Sequence, residues 1–194
     1  MSLKERIYSV LIVSSSEQFN SALPDFFSHS KYSPVTVVSN ISMAKRAVAE
    51  RDFDFIVVNS PLPDDSGEAF VIDIVGSTHC VALFMVRAEL FEEISDKLAE
   101  HGVFLIRRPL SRQALNMAVE WMCSARERLR KTEKKTLSIE EKMNEIRLVN
   151  RAKWLLIKEL QMDEPSAHRY IEKQAMDRCV QRKEIAEEII KTYG

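Results

Sequence analysis

The sequence predicts a doubly wound α/β domain of five βα units, then a long coiled-coil helix, then a small three-helix C-terminal domain. Three observations carry this expectation. Five short apolar runs recur at regular intervals in the first half, with helix-like segments between them. From Leu115 to Ile146 the chain has neither Gly nor Pro and keeps a seven-residue rhythm. From Arg147 to Arg178, cations, aromatics and two apolar helical stripes share one short stretch. The expected spans are 1–122 for the α/β domain, 115–146 for the coiled coil continuing from it, and 137–194 for the three-helix domain.

The five apolar runs are SVLIV (9–13), VTVV (35–38), FDFIVVN (53–59), VALFMV (81–86) and VFLI (103–106). Their apolar residues are continuous rather than alternating, as in parallel strands covered on both faces. The intervening helices are expected over Glu17–Phe27, Ile41–Arg51, Gly67–Gly76, Glu89–His101 and from Ser111 onward. Five such units give a flavodoxin-like fold, in which functional groups gather beyond the carboxyl ends of the strands.

The long helix carries a candidate seam. Leu115, Met122, Leu129, Thr136 and Met143 mark one heptad position, and Ala118, Ala125, Thr132, Ile139 and Ile146 the position three residues later. The seam is polar in the middle, and RERLRKTEKKT (126–136) is a solvated charged face by its composition. A seam held this long is hard to bury within one small domain, which points to pairing as a homodimer.

In the last segment, Ile146, Val149, Ala152, Leu156 and Leu160 recur at helical spacing. The signal stops at Gln161-Met162. Asp163 is a good N-cap for the next helix, and Glu164-Pro165 suit its first turn, where an acid meets the helix dipole and a missing N–H costs little. Ala167, Tyr170, Ile171, Ala175 and Gln174 are expected to face inward, with Arg169, Lys173, Met176 and Asp177 outside. A third helix after Arg182 turns Ile185, Ala186, Ile189 and Ile190 inward. The residue types outside, Arg and Lys with nearby aromatics, suit a partner that is charged and flat-faced, as RNA is.

These ordered pieces resemble the ANTAR domain, the RNA-binding output module of bacterial transcription antiterminators. VNRAKWLLI (149–157) is similar to that family's Ala-Lys-Gly helix. Glu164, Ala167 and His168 follow as its acid and Ala-aromatic pair, and then Gln174-Ala175-Met176-Asp177-Arg178. Trp154 stands where the family usually has Gly, and His168 where it usually has Tyr or Phe. Trp154 is expected to pack rather than stack on bases. Helical geometry and the resemblance together nominate Arg147, Arg151, Lys153, His168, Arg169, Lys173 and Arg178 as RNA-binding residues. The resemblance implies a dimer that presents two readers to adjacent RNA hairpins.

The first half resembles response-regulator receiver domains over roughly residues 5–122, through LIVSSSE, FIVVNSPLPDDSG, FMVRAE and FLIRRPLS. A working receiver needs an acid pair for Mg²⁺, an Asp phosphoacceptor, a hydroxyl and a Lys. The corresponding residues are Ser14 and Ser15, Asn59, Arg87 and Arg108, so all five positions are substituted. An amide is a poor nucleophile, and hard Mg²⁺ needs anionic oxygen. Asp64 and Asp65 read as turn residues. This is a degenerate phosphoacceptor site, a pseudo-receiver, with control expected through a partner protein or ligand.

Charge and composition agree. Net charge is −5 over residues 1–122 and +4 over 123–194, together the chain's −1. Cys80, Cys123 and Cys179 lack a CxxC pair and read as reduced, part-buried thiols; His29, His79 and His101 make no metal set. Trp121 reads as a core or dimer contact. With only four Gly there is no Gly-rich phosphate loop, and no HExxH or catalytic triad is present. No signal peptide or membrane span is legible, so the expectation is a cytoplasmic, non-enzymatic regulator without cofactor or metal. The leading reading is a dimeric RNA-binding antiterminator. A DNA-binding transcription factor of two-component type and a protein-interaction adaptor are the alternatives.

Overall fold

A computed structural model describes residues 6–194, so the first five residues of the expected α/β domain lie outside the described residues. The chain packs as two compact units, one running to Arg130 and the other starting at Lys131.

The first unit contains β1 (Tyr8–Val13), α1 (Glu17–Ala22), β2 (Tyr32–Val38), α2 (Ile41–Glu50), β3 (Phe55–Asn59), α3 (Glu68–Ser77), β4 (Val81–Arg87), α4 (Phe91–Glu100), β5 (Phe104–Arg108) and the start of α5 (Arg112–Leu160). The sheet is parallel, in the order β2-β1-β3-β4-β5. Helix α1 is shorter than expected, because Leu23-Pro24-Asp25 tightens into a 3₁₀ turn. Pro34, which has no N–H to give a ladder, sits on the edge strand where the β1–β2 register shifts.

Strand alternation divides the core. Leu11, Val13, Ile56, Val58, Ala82 and Phe84 face one side, packed with Ile41, Phe70, Ile94 and Leu98 from α2, α3 and α4. Tyr8, Val10, Ile12, Phe55, Val57 and Leu83 face the other, packed with Leu115, Ala118, Val119 and Met122 of α5. Each large apolar side chain fully buried here contributes about 1.5–3 kcal/mol. Tyr8 stacks on Phe55 at 4.9 Å between centroids, and Phe27 meets Tyr32 edge-on at 5.2 Å.

This packing corrects the expected seam. Leu115 (3% exposed), Ala118 (2%) and Met122 (0%) belong to the α/β core, and Ala125 packs against it. Only the later positions, with Leu129, Ile139, Met143 and Ile146, are exposed. Trp121 is exposed and outside the core.

The second unit contains the end of α5, then α6 (Glu164–Arg178) and α7 (Arg182–Tyr193). Val149, Ala152, Leu155 and Leu156 pack with Ala167, Ile171, Ala175, Ile185, Ala186 and Ile189. Asp163 caps α6 by accepting from the Ser166 N–H at 2.8 Å, and Gln181 and Glu184 form a capping box on α7. Three inward assignments change. Ile146, Leu160 and Tyr170 are exposed, whereas Leu155, unassigned from the sequence, is buried. The buried stripe on this part of α5 therefore runs through Val149, Ala152, Leu155 and Leu156.

Candidate nucleic-acid interface and altered receiver cleft

The strand order reverses about β1, which opens a crevice beyond the carboxyl ends of β1 and β3. Ser14, Asn59 and Ser60 are buried at that point (1%, 3% and 5% exposed). Asn59 Nδ2 donates to Ser14 Oγ at 3.0 Å, and the Ser16 N–H donates to the same oxygen at 3.2 Å. Asn59 Oδ1 is buried and has no hydrogen-bond partner among the described residues. Arg108 donates through Nη2 to the Ser60 carbonyl, while its buried Nε has no partner among the described residues. Burial, and then the nearby Arg87 charge, hold the Arg108 pKa below the usual guanidinium range. Asn59, Arg87 and Arg108 line one cavity of about 860 Å³; Ser15 is exposed and does not line it.

The two tempting acids are committed elsewhere. Asp64 accepts from the backbone N–H groups of Ile41 and Ser42, both at 3.0 Å, and so caps α2. Asp65 accepts from the Gly67 N–H at 2.7 Å. Among the described residues no three His, Cys, Asp or Glu side chains gather as a metal-binding group. Cys80 and Cys123 are buried, while Cys179, expected to be part-buried, is exposed at the left-handed C-cap of α6.

The cations of the second unit divide by their partners. Lys153 Nζ donates to Glu164 Oε1 at 2.7 Å, and Arg178 makes a two-pronged pair with Glu188 at 2.5 and 2.6 Å. The Arg178 pair shifts both groups toward their charged forms, Glu188 down and Arg178 up. His168 lies 3.2 Å from Glu172. Arg147, Arg151, Arg169 and Lys173 are exposed and make no ion pair within 4.0 Å among the described residues.

Four exposed residues of α5 recur at helical spacing, Arg147, Arg151, Trp154 and Lys158, opposite the buried Val149, Ala152 and Leu156. Lys158 Nζ lies 5.5 Å from the Trp154 ring centroid. Trp154 is 58% exposed, which corrects its expected packing role: the helix turns it away from the core. On α6, Arg169, Lys173 and Met176 form a second outward stripe, with Tyr170 beside it. Sequence reasoning missed Lys158 and Tyr170. The spacing from Arg147 pointed to the first, and the second was drawn inward by its aromatic character.

The family model described as ANTAR domain matches residues 138–190. The transcriptional regulatory protein PdtaR of Mycobacterium tuberculosis is 25% identical over 142 residues, covering 73% of this chain and 69% of that protein. The signal receiver domain of an HD domain-containing protein from Pseudomonas fluorescens Pf-5 superposes with a TM-score of 0.58 at 17% identity, covering 68% of this chain and 96% of that one. A two-component response regulator from Clostridium difficile gives 0.52 at 20% identity, covering 59% and 94%. Among the described residues no helix is long and apolar enough to cross a membrane. The chain thus carries a receiver-like fold in its first unit, ahead of a segment, residues 138–190, that matches the ANTAR domain.

Proposed function

We propose that this chain is an RNA-binding antitermination regulator that acts as a homodimer and is not driven by aspartyl phosphorylation. The observation that carries the reading is the Arg147–Arg151–Trp154–Lys158 stripe, which joins three cations to an exposed aromatic inside the ANTAR domain. Cations neutralise phosphates, and an indole face stacks on a splayed loop base. Binding a leader-RNA hairpin before the competing terminator hairpin forms lets polymerase read through. Arg147, Arg151, Arg169 and Lys173 are the phosphate contacts, with His168 at their edge. Lys153 and Arg178, named from the resemblance, act first as internal clamps through Glu164 and Glu188.

The homodimer joins through the exposed part of the α5 seam, where Leu129, Ile139, Met143 and Ile146 share one side. Nothing in this chemistry calls for an enzyme. With Ser14 and Asn59 in place of carboxylates, the cleft lacks both the metal ligands and the phosphoacceptor, so control falls to a partner protein or ligand.

The test is fluorescence anisotropy of the full chain on tandem-hairpin leader RNA, with the same sequence as duplex DNA, at two salt concentrations. Salt-sensitive, RNA-selective binding is expected. Preference for the duplex moves the reading to a DNA-binding factor. Absence of binding to either moves it to a protein-interaction adaptor.

A further inference from the structure

We propose that the cleft at the ends of the β-strands is a binding site for a small, singly charged organic anion that carries an apolar body and a hydrogen-bond donor. The inference does not depend on the RNA reading; it rests on the cavity. At about 860 Å³ the space suits a small molecule. Its walls combine Phe19, Phe26, Leu110 and Leu115 with a polar floor at Asn59.

The charges decide the ligand's class. Arg87, Arg108 and Arg112 face the cavity, as do Asp25 and Glu89. Arg112 is paired with Asp25 at 3.1 Å and lies over the Phe26 ring at 5.7 Å. That leaves Arg87 and Arg108 against Glu89, an excess of one positive charge. A monoanion balances it. Arg108 is held at one end by the Ser60 carbonyl, and its buried Nε–H is unused. A buried donor without an acceptor is costly, as is a buried carbonyl without a donor. Asn59 supplies the second case: it lines the cavity, its Nδ2 is fixed on Ser14, and its Oδ1 is buried without a partner among the described residues. One anion whose charged group meets Arg108 and Arg87, and whose hydroxyl or amine meets Asn59 Oδ1, satisfies both groups. Its ring or chain then lies on the apolar wall. The residues that removed phosphoryl chemistry thus leave a recognition site for an intact acid.

The experiment is a ¹H–¹⁵N titration of the full chain that follows the Asn59 side-chain amide and the Arg108 Nε–H. The probes are 4-hydroxybenzoate, its neutral counterpart 4-hydroxybenzamide, 4-nitrophenyl phosphate and inorganic phosphate. Saturable shifts of both signals are expected with 4-hydroxybenzoate and not with the amide. Arg87→Gln, at an exposed position, should weaken the effect about tenfold, the loss of one charge-assisted contact. Tighter binding of the carboxylate supports the proposal; tighter binding of the phosphate ester, a dianion without a hydrogen-bond donor, overturns it. The proposal is overturned if no anion moves the two signals, if the amide binds as well as the acid, or if inorganic phosphate alone accounts for the effect.

Discussion

Arg130 Nη2 donates to Asp54 Oδ1 at 2.7 Å, a contact that ties the α5 helix to the residue just before β3. Asp54 is heavily used. Its Oδ1 also accepts from Arg126 Nε at 2.9 Å, and its Oδ2 from the Ser9 N–H at 3.1 Å. Beside it Tyr8 donates to Glu127 Oε1 at 3.0 Å, and Arg6 pairs with the same carboxylate. These contacts explain why the first unit extends to Arg130, beyond the expected limit at 122.

Asp54→Ala should therefore destabilise the first unit by about 2–3 kcal/mol. The Asp54 side chain is only 13% exposed, so removing it takes away an acceptor that two partly desolvated guanidinium groups share. Urea denaturation read by circular dichroism would measure the loss. An unchanged midpoint would show that the ion pairs contribute nothing net.

Gly67 gives a second, sharper case. It precedes α3 with φ of +88°, and an added Cβ would lie 3.1 Å from Val58 Cγ1 and 3.3 Å from Ile41 Cδ1. Gly67→Ala incurs about 1–2 kcal/mol for the left-handed backbone, and crowding adds about 1–3 kcal/mol. A loss of roughly 2–5 kcal/mol in urea unfolding is expected. A loss below about 0.5 kcal/mol would mean that the turn relaxes without strain.

Acetyl phosphate with Mg²⁺ should leave the chain unlabelled, and Asn59→Asp should not restore labelling. That substitution returns a carboxylate, but Ser14 and Ser15 still offer Mg²⁺ no anionic partner. Intact mass spectrometry checks both. Stable labelling of the unaltered chain would sink the pseudo-receiver reading.

The strands were legible because parallel sheets buried on both faces write continuous apolar runs into the sequence, as in Ile56-Val57-Val58. The places of the cleft residues were legible for a similar reason, since Asn59, Arg87 and Arg108 end strands and Ser14 and Ser15 directly follow one. The surface of the second unit was less so. Tyr170 and Trp154 have the same hydrophobic signature whether packed or exposed, and only the helical phase, fixed by Leu155 and Ala167, separates the two. Pairing partners such as Glu188, ten residues beyond Arg178, leave no local pattern to read. The seam failed at Leu115 and Met122 because a heptad repeat and a helix packed on a sheet both ask for apolar residues three and four apart.

Stability should fall in acid through identifiable carboxylates. The Ser166 side chain and N–H hold Asp163 below its ordinary pKa, and the Ile41 and Ser42 N–H groups do the same for Asp64. A carboxylate depressed in the folded state stabilises above the unfolded value near 4, and that contribution disappears as pH falls through the folded value. Melting temperature should be flat from neutral pH to about 5 and decline below about 4. Asp163→Asn keeps an acceptor for the cap without titrating. Its melting temperature relative to the unaltered chain should rise as pH drops from 6 to 3; a constant difference would remove Asp163 from the account.

Exposure and pairing predict an order of RNA-binding defects among neighbouring residues of α5. Trp154 is 58% exposed, so Trp154→Ala should leave the fold intact while weakening binding by about 1–3 kcal/mol, the range for one base–aromatic stack. Arg151→Gln should weaken binding and also flatten its salt dependence, by close to one unit of slope, because a phosphate contact releases a counterion. Lys153→Gln should do neither to the same degree, since its ammonium is already committed to Glu164 at 2.7 Å. Anisotropy titrations of the three variants at several salt concentrations measure both quantities. If Lys153→Gln flattens the slope as much as Arg151→Gln, the Glu164 pair opens on binding and the contact surface wraps around the start of α6.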